Sequence, residues 1–234
     1  MAVGKYLRGA IVQFTETFPL PVPNVIVFQF NPETMTHTWT PTRGQESPTA
    51  APEHPSAVTG SPLESFSFTL MMDAHDMITD GGPIEEGLAT VSGVYTRLAA
   101  LEMLLFPTAK PGQGLVGSIT AALGIGGGSS PQQSVPDSTL PVAIFVWGPG
   151  RIVPVRVNSL TITEKLYDAT LLNPTRAEAQ IGLQVLRQED LKFVGGPIGD
   201  LASAALKYSQ TLREALALAN LGNAISDIIG MLPI

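Results

Sequence analysis

The chain has 234 residues, no cysteine and a formal net charge of −7 at pH 7. This length suits one domain, or one domain with an appendage, because single hydrophobic cores stop growing at about 250–300 residues. A chain without cysteine has no disulfides, zinc–thiolate sites, iron–sulfur clusters or cysteine nucleophiles. The net charge is negative and the sequence has no run of Lys or Arg, so nucleic acid is not an expected partner.

Hydrophobic residues make up 44% of the chain and charged residues only 14%, compared with about 25% charged residues in typical soluble domains. So little charge on so apolar a chain indicates self-association, since large apolar patches usually mark contact surfaces. No run of apolar residues is long enough to span a membrane directly. We expect the chain to be cytoplasmic on synthesis.

The first third of the chain contains strand patterns separated by loops. Residues 10–14 and 25–30 are rich in β-branched and aromatic residues and predict two strands, the second of which ends at Asn31-Pro32. Residues 41–62 are rich in Pro, Ser, Thr and Ala and predict a long flexible loop. Residues 65–72 alternate apolar and polar side chains, the pattern of a half-buried strand.

The middle of the chain changes period. Residues 83–105 place apolar side chains at intervals of three and four and predict one amphipathic helix. The glycine-rich residues 110–138 predict a second long flexible loop.

Four strand-like segments follow, at residues 141–147, 151–160, 161–167 and 177–186, and they predict antiparallel sheets in a sandwich or barrel. From about residue 195 the chain is rich in Ala and Leu, which predicts a helix interrupted at Gly222. The predicted class is therefore α+β and β-dominated. We predict a β domain over residues 1–194 and a helical extension over 195–234.

Asp73, His75 and Asp76 form the best candidate catalytic group, because carboxylates and imidazole can bind a metal or act as acid and base. No second pair of ligands lies at a suitable spacing, so a polar strand end that turns into a loop is the favoured interpretation. His37 is predicted to lie on an exposed strand. We expect no catalytic residue, metal site or cofactor. A metal-assisted hydrolase and a ligand-binding sandwich that uses Trp39 or Trp147 stay open as alternatives.

Three motif segments occur in a fixed order along the chain: VFQFNPETM at 27–35, FSFTLMMDAHD at 66–76, and PVAIFVWG at 141–148 followed by the strands of 153–186. Together they resemble the tube-type domain of contractile injection systems, which are phage-tail-like assemblies. The resemblance rests on these residues: Phe28, Phe30, Asn31, Pro32, Asp73, Trp147, Gly148, Asn173, Pro174, Arg176 and Ala177.

The resemblance implies a phage-tail-tube-like β-sandwich or barrel that assembles with itself as a hexameric ring. Such a ring initiates the inner tube and joins the inner tube protein to a VgrG-like spike protein and other baseplate components. The resemblance further implies that the assembled particle is either released from the cell or anchored at a membrane or thylakoid. The repeating inner-tube protein itself is the nearest alternative. Some relatives carry a C-terminal LysM module, whereas this chain has the helical extension, which we expect to dock on an adjacent baseplate component.

Overall fold

A computed structural model describes residues 7–15, 22–42, 60–80, 83–106 and 141–231. Both predicted long loops lie mostly outside these ranges. The described residues contain seven strands: β1 (Ala10–Thr15), β2 (Val22–Val27), β3 (Met35–Thr40), β4 (Leu63–Asp73), β5 (Ala143–Val146), β6 (Ile152–Tyr167) and β7 (Pro174–Val185).

The strands form one antiparallel sheet in the order β2-β1-β5-β6-β7-β4-β3. The predicted α+β, β-dominated class is therefore confirmed. All seven described strands belong to this one hydrogen-bonded sheet.

Alternation along the strands gives the sheet two chemically different faces. On the inner face of β4 and β7, Phe66 pairs with Leu183 and Phe68 with Ile181, and all four side chains are buried. The residues between them on each strand point to the opposite, outer face.

The sheet is strongly curled around this inner face. β4 and β5 are separated by β6 and β7, which would place them about 14 Å apart in a flat sheet. The ring of Phe145 on β5 nevertheless lies 5.4 Å from that of Phe66 and 5.5 Å from that of Phe68 on β4. The sheet must therefore bend so that the inner side chains of distant strands meet.

Helices cover the curled inner face. They are α1 (Ala74–Asp80), α2 (Pro83–Ser92), α3 (Tyr95–Glu102), the short α4 (Gln188–Leu191) and the long α5 (Gly196–Met231). Leu98 and Leu101 of α3 are buried in the same core as the inner strand residues. No helix in the described ranges is both long and apolar enough to cross a membrane.

The single helix predicted over residues 83–105 is wrong in one respect, because two helices occupy this segment. They separate at Gly93, whose φ of +59° breaks the helical path. The backbone N–H of the next residue, Val94, then donates to the carbonyl of Pro174 at 2.9 Å. A tertiary hydrogen bond replaces the helical one, which the apolar spacing of the segment does not reveal.

Two strand predictions also need correction. Residues 151–160 and 161–167 form one strand, β6, whose register shifts by a bulge between Val157 and Ser159. The second predicted strand, 25–30, instead spans Val22–Val27. Pro23 is compatible with β2 because this strand pairs only with β1 among the described strands, and proline is tolerated on such edges.

Helix α5 runs without a break through Gly222, contrary to the predicted interruption. Its first half belongs to the core, since Ala202, Ala205 and Leu206 are buried. The predicted boundary at residue 195 coincides with the start of a helix, but the helix packs directly on the β domain.

We predict that Gly93→Ala lowers the free energy of unfolding by about 2 kcal/mol or more. A Cβ at this positive φ would lie 2.2 Å from the carbonyl oxygen of Pro174. Gly87→Ala is the matched control, because nothing lies within 4 Å of its Cβ position in α2. It should raise the free energy of unfolding by about 0.5–1 kcal/mol. Urea unfolding followed by circular dichroism measures both, and equal effects would contradict the prediction.

Candidate functional site

The segment that follows β2, residues 28–32, connects the end of β2 to the end of β4 by hydrogen bonds. Phe28 is buried among the core aromatics, with its ring 5.6 Å from that of Phe68. The side-chain amide of Gln29 pairs with the backbone of Asp73 at the end of β4: Nε2 donates to the Asp73 carbonyl at 2.8 Å, and Oε1 accepts from its N–H at 3.0 Å. This explains why β2 ends before Phe28, since the chain turns here to bond β4.

Asn31 fixes the N-terminal segment against the same turn. Its Oδ1 accepts from the backbone N–H of Gly9 at 2.9 Å, and its Nδ2 donates to the carbonyl of Leu7 at 2.9 Å. The backbone N–H of Phe28 also donates to the carbonyl of Gly9 at 2.9 Å. The F-Q-F-N-P segment is therefore a structural clamp that uses both amide side chains.

Asp73 has a structural position at the junction of β4 and α1. Its Oδ1 accepts from the backbone N–H of His75 at 2.9 Å, as a residue that caps a helix N-terminus does. Its Oδ2 lies 3.6 Å from Nε of Arg176 on the adjacent strand β7. The expected turn into a loop is thus wrong, because a short helix begins directly after the strand.

The clamp and this ion pair line a cleft of about 370 Å³ on the outer side of the sheet. Its wall combines exposed apolar side chains with both signs of charge. The lining residues are Phe30, Asn31, Pro32, Glu33, Thr69, Met71, Met72, Asp73, Asp76 and Arg176. Five of the motif residues, from three segments far apart in sequence, thus meet at one place.

The remaining motif residues lie elsewhere and are structural. Trp147 directly follows β5, and its backbone N–H donates to the carbonyl of Arg151 across a tight turn in which Gly148 has a φ of +66°. Asn173 Nδ2 donates to the carbonyl of Val91 at 2.8 Å, which anchors the start of β7 on α2. Pro174 and Ala177 are buried, and Ala177 faces Met72 across the sheet.

The fold does not assemble Asp73, His75 and Asp76 into a catalytic group. Asp73 is occupied by the helix cap and by Arg176, while His75 is exposed on α1. Within the ranges that the structure describes, no three His, Asp or Glu side chains are grouped so that they could hold a metal ion.

A buried ionic cluster at the opposite end of β4 escaped the sequence analysis. The carboxylate of Glu64 is 4% exposed and accepts from Nη2 of Arg213 on α5 at 2.5 Å; it also lies 2.9 Å from Nε2 of His37 on β3. The guanidinium of Arg213 stacks 4.7 Å above the ring of Trp39, and that of Arg151 lies 5.0 Å from the ring of Phe66. His37 therefore lies on a strand, as predicted, but its side chain is partly buried in this polar cluster instead of exposed.

This cluster and the side chain of Ser209 both bind α5 to the sheet. The hydroxyl of buried Ser209 donates to the carbonyl of Ile152 at 2.6 Å and accepts from its N–H at 3.3 Å. Glu64 and Arg213 are 149 positions apart, so no sequence spacing relates them. The one signal was a charged residue within an otherwise apolar alternating strand.

The outer face of the four strands β3, β4, β7 and β6 is a broad surface of neutral polar side chains. Paired residues place hydroxyls and amides side by side in rows across the sheet. The exposed apolar Met71 also lies on this face. The neutral polar side chains of this outer face are Thr36, Thr38, Thr40, Ser65, Ser67, Thr69, Ser159, Thr161, Thr163, Gln180 and Gln184.

Charges on this outer face occur mainly in pairs of opposite sign. Lys165 and Glu178 form a salt bridge between β6 and β7, and Asp73 faces Arg176. Arg156 donates to Oε1 of Gln184 at 3.1 Å. The face is therefore hydrophilic with little net charge.

The sheet ends in strands with one neighbour each. Among the described strands, β2 pairs only with β1, and β3 pairs only with β4. β5 covers only Ile152 to Val155 of β6, so the remainder of β6 has β7 as its one described partner. Such edges present backbone groups that another strand could bond.

No protein-family model matches this chain, and a search of curated proteins finds no relative. The geometry of the chain itself therefore has to support any function.

We predict that Gln29→Met lowers the free energy of unfolding by about 1–2 kcal/mol, because the N–H and carbonyl of Asp73 both lose their side-chain partner. Methionine keeps the length of the side chain. Gln180→Met on the exposed outer face is the control and should change stability by less than about 0.5 kcal/mol. Chemical unfolding of both variants tests this, and a neutral Gln29→Met would show that the clamp contributes nothing.

A pH dependence follows from His37. Burial lowers the pKa of His37 below its ordinary value of 6.5, and the charges of Arg151 and Arg213 act in the same direction, although the hydrogen bond to Glu64 opposes them. The unfolded chain therefore takes up a proton at this position at a higher pH than the folded chain does. Stability should fall as the pH drops below about 6.5.

The measurement compares unfolding free energies at pH 7.5 and pH 5.5 for the wild type and His37→Gln, which keeps a donor for Glu64. The variant should lose less stability between the two pH values than the wild type. An equal loss in both proteins would assign the pH dependence to other groups.

Proposed function

We propose that this chain is a structural subunit of a phage-tail-like contractile injection system. It forms a hexameric ring that initiates the inner tube and joins it to the spike and baseplate. The observation that carries the proposal is the exposed outer face of the sheet. This face is broad, hydrophilic and nearly neutral, and the strands at its borders each have one partner among the described strands. Its activity is assembly, not catalysis.

The outer face has the chemistry of a channel lining. A passing macromolecule meets hydroxyls and amides that hydrogen-bond to water, and the charges that are present are largely compensated by neighbours of opposite sign. Fixed charge of one sign would instead attract or repel the cargo. The helical layer packs on the other face, so a ring with this lining carries its helices on the outside.

The open strands provide a way to close such a ring. The edge at β2 differs from the edge at β3, so a contact between them would be head-to-tail, and head-to-tail contacts form closed rings when the rotation between subunits allows it. The carbonyl of Val27 in β2 already accepts from Nη1 of Arg97 at 3.1 Å. The remaining edge groups of β2 and β3 that have no strand partner among the described residues would be bonded between copies.

The motif residues support the proposal through the shape of the sheet. The Gln29 and Asn31 side chains fix the curl of the sheet at the end of β4, and the motifs at Asp73 and Arg176 meet them there. A channel wall built from several copies requires that each copy keeps the same curvature. Five of the eleven residues that carry the resemblance to tube-type domains line the cleft beside this clamp.

The long helix favours a junction ring over the repeating tube protein. After Arg213, α5 continues for about 27 Å, and its side chains from Glu214 to Gly222 are all exposed. A repeating tube would have to accommodate this helix in every layer, whereas a single ring between tube and baseplate does so once. The spike, the inner tube protein and other baseplate components are the proposed partners.

The test uses the natural lack of cysteine, because a single introduced thiol is then unique. Thr69→Cys places the thiol on the outer face, and Thr96→Cys places it on exposed α3 in the helical layer. Sedimentation and electron microscopy should show sixfold rings for both. In these rings, a maleimide that carries a long polymer chain should label position 69 several-fold more slowly than position 96, while a small maleimide should label both equally.

Labelling of the dissociated subunits is the control, and it should remove the difference between the two positions. A chain that stays monomeric at every concentration, or rings in which position 69 is labelled as fast as position 96, would overturn the proposed ring and its lining.

A further inference from the structure

Helix α5 carries two apolar surfaces on different sides. In its first half the buried side is marked by Ala202, Ala205, Leu206 and Ser209, and Arg213 continues this side to Glu64. The opposite side of the first half carries Lys207, Thr211 and Glu214, all exposed. This first half is an ordinary amphipathic helix that packs on its own domain.

The second half reverses this polarity. At about 100° per residue, Leu218 follows Ser209 by two and a half turns and thus lies on the opposite side of the helix. Leu218 is 69% exposed and Leu221 55% exposed. Their spacing of three continues in the sequence with intervals of four and three to Ile225 and Ile228.

The side that faced the domain carries one leucine and one asparagine in the exposed part of α5. By the same rotation, Leu216 and Asn220 both fall within about 20° of the direction of Ser209. Because α5 is continuous, the side with Leu218 and Leu221 is turned away from the β domain to which the first half is bound. The domain that anchors the helix therefore cannot cover this stripe.

The pattern identifies the kind of surface that fits. Apolar residues at alternating intervals of three and four are the seam of a coiled coil. Ala217 and Gly222 flank the seam, so neighbouring helices can approach closely, and the sequence has no charged residue between Glu214 and Asp227. Identical copies of a chain with net charge −7 can thus meet here without like-charge repulsion at the contact. Leucine then packs on leucine in a self-complementary seam.

We propose that the second half of α5 self-associates: the stripe that begins with Leu218 and Leu221 packs against the same stripe of other copies of this chain in a helical bundle. The first half of α5 fixes the helix on its domain, and the second half links domains to each other. This inference does not rest on the proposed function, because such a bundle needs neither a ring nor a channel.

The experiment compares Leu218→Gln/Leu221→Gln with the control Leu216→Gln/Ala219→Gln in the full chain. Both pairs alter exposed positions of the same helix, and glutamine has a helix propensity close to that of leucine. Leu216 is 61% exposed but lies on the side of Ser209. Sedimentation should show that the wild type associates and that the first pair raises the dissociation constant at least about tenfold, because two apolar side chains leave the contact. The control pair should leave the dissociation constant unchanged.

Circular dichroism checks that both variants keep their helix and their unfolding midpoint. A wild type that stays monomeric, or equal effects of the two pairs, would overturn the inference. So would a wild-type monomer that floats with phospholipid vesicles, which would assign the stripe to a membrane surface. Rings that form in both proteins, with the same dissociation constant for the wild type and Leu218→Gln/Leu221→Gln, would refute the bundle and leave the proposed function intact. If the wild type associates without forming rings and Leu218→Gln/Leu221→Gln loses this association, the bundle is supported and the proposed ring is overturned.

Discussion

The curl of the sheet is the constraint on which the other features of this protein depend. A flat seven-stranded sheet would leave the phenylalanines of β4 and β5 far apart and exposed, whereas the curled sheet brings Phe145 into contact with both Phe66 and Phe68. Burial of these rings supplies the driving force, and edge or offset contacts between them add to it. Gln29 then bonds the backbone at the end of β4 and holds the curvature.

The two ends of β4 are held by different polar contacts. At Asp73, one carboxylate caps α1 and faces Arg176, while the backbone of the same residue receives Gln29. At Glu64, a buried carboxylate is compensated by Arg213 and His37, so the docking of α5 depends on paired charges as well as on apolar contact. Removal of one member of such a set leaves the others without compensation, which destabilises the docking of α5.

These features support the proposed structural role. The side chains with the strongest chemistry, Asp73, Glu64 and His37, are engaged in holding strands and helices together. The exposed surfaces are instead a neutral polar sheet face, open strands and an outward apolar stripe on α5. Each of these surfaces is suited to contact with other copies or with neighbouring components, and they point in different directions from one subunit.

The sequence by itself determined most of the strands, the β-dominated class and the helical C-terminal segment, because alternation and helix propensity are local properties. The order of the three motif segments also identified Asn31, Asp73 and Arg176 as motif residues. Only the tertiary structure decided where α2 ends, because the break at Gly93 depends on a hydrogen bond from Val94 to Pro174. The same holds for Glu64 and Arg213, which meet across 149 positions. Local patterns report which face of an element is apolar, whereas the partner of that face is fixed only when distant segments pack together.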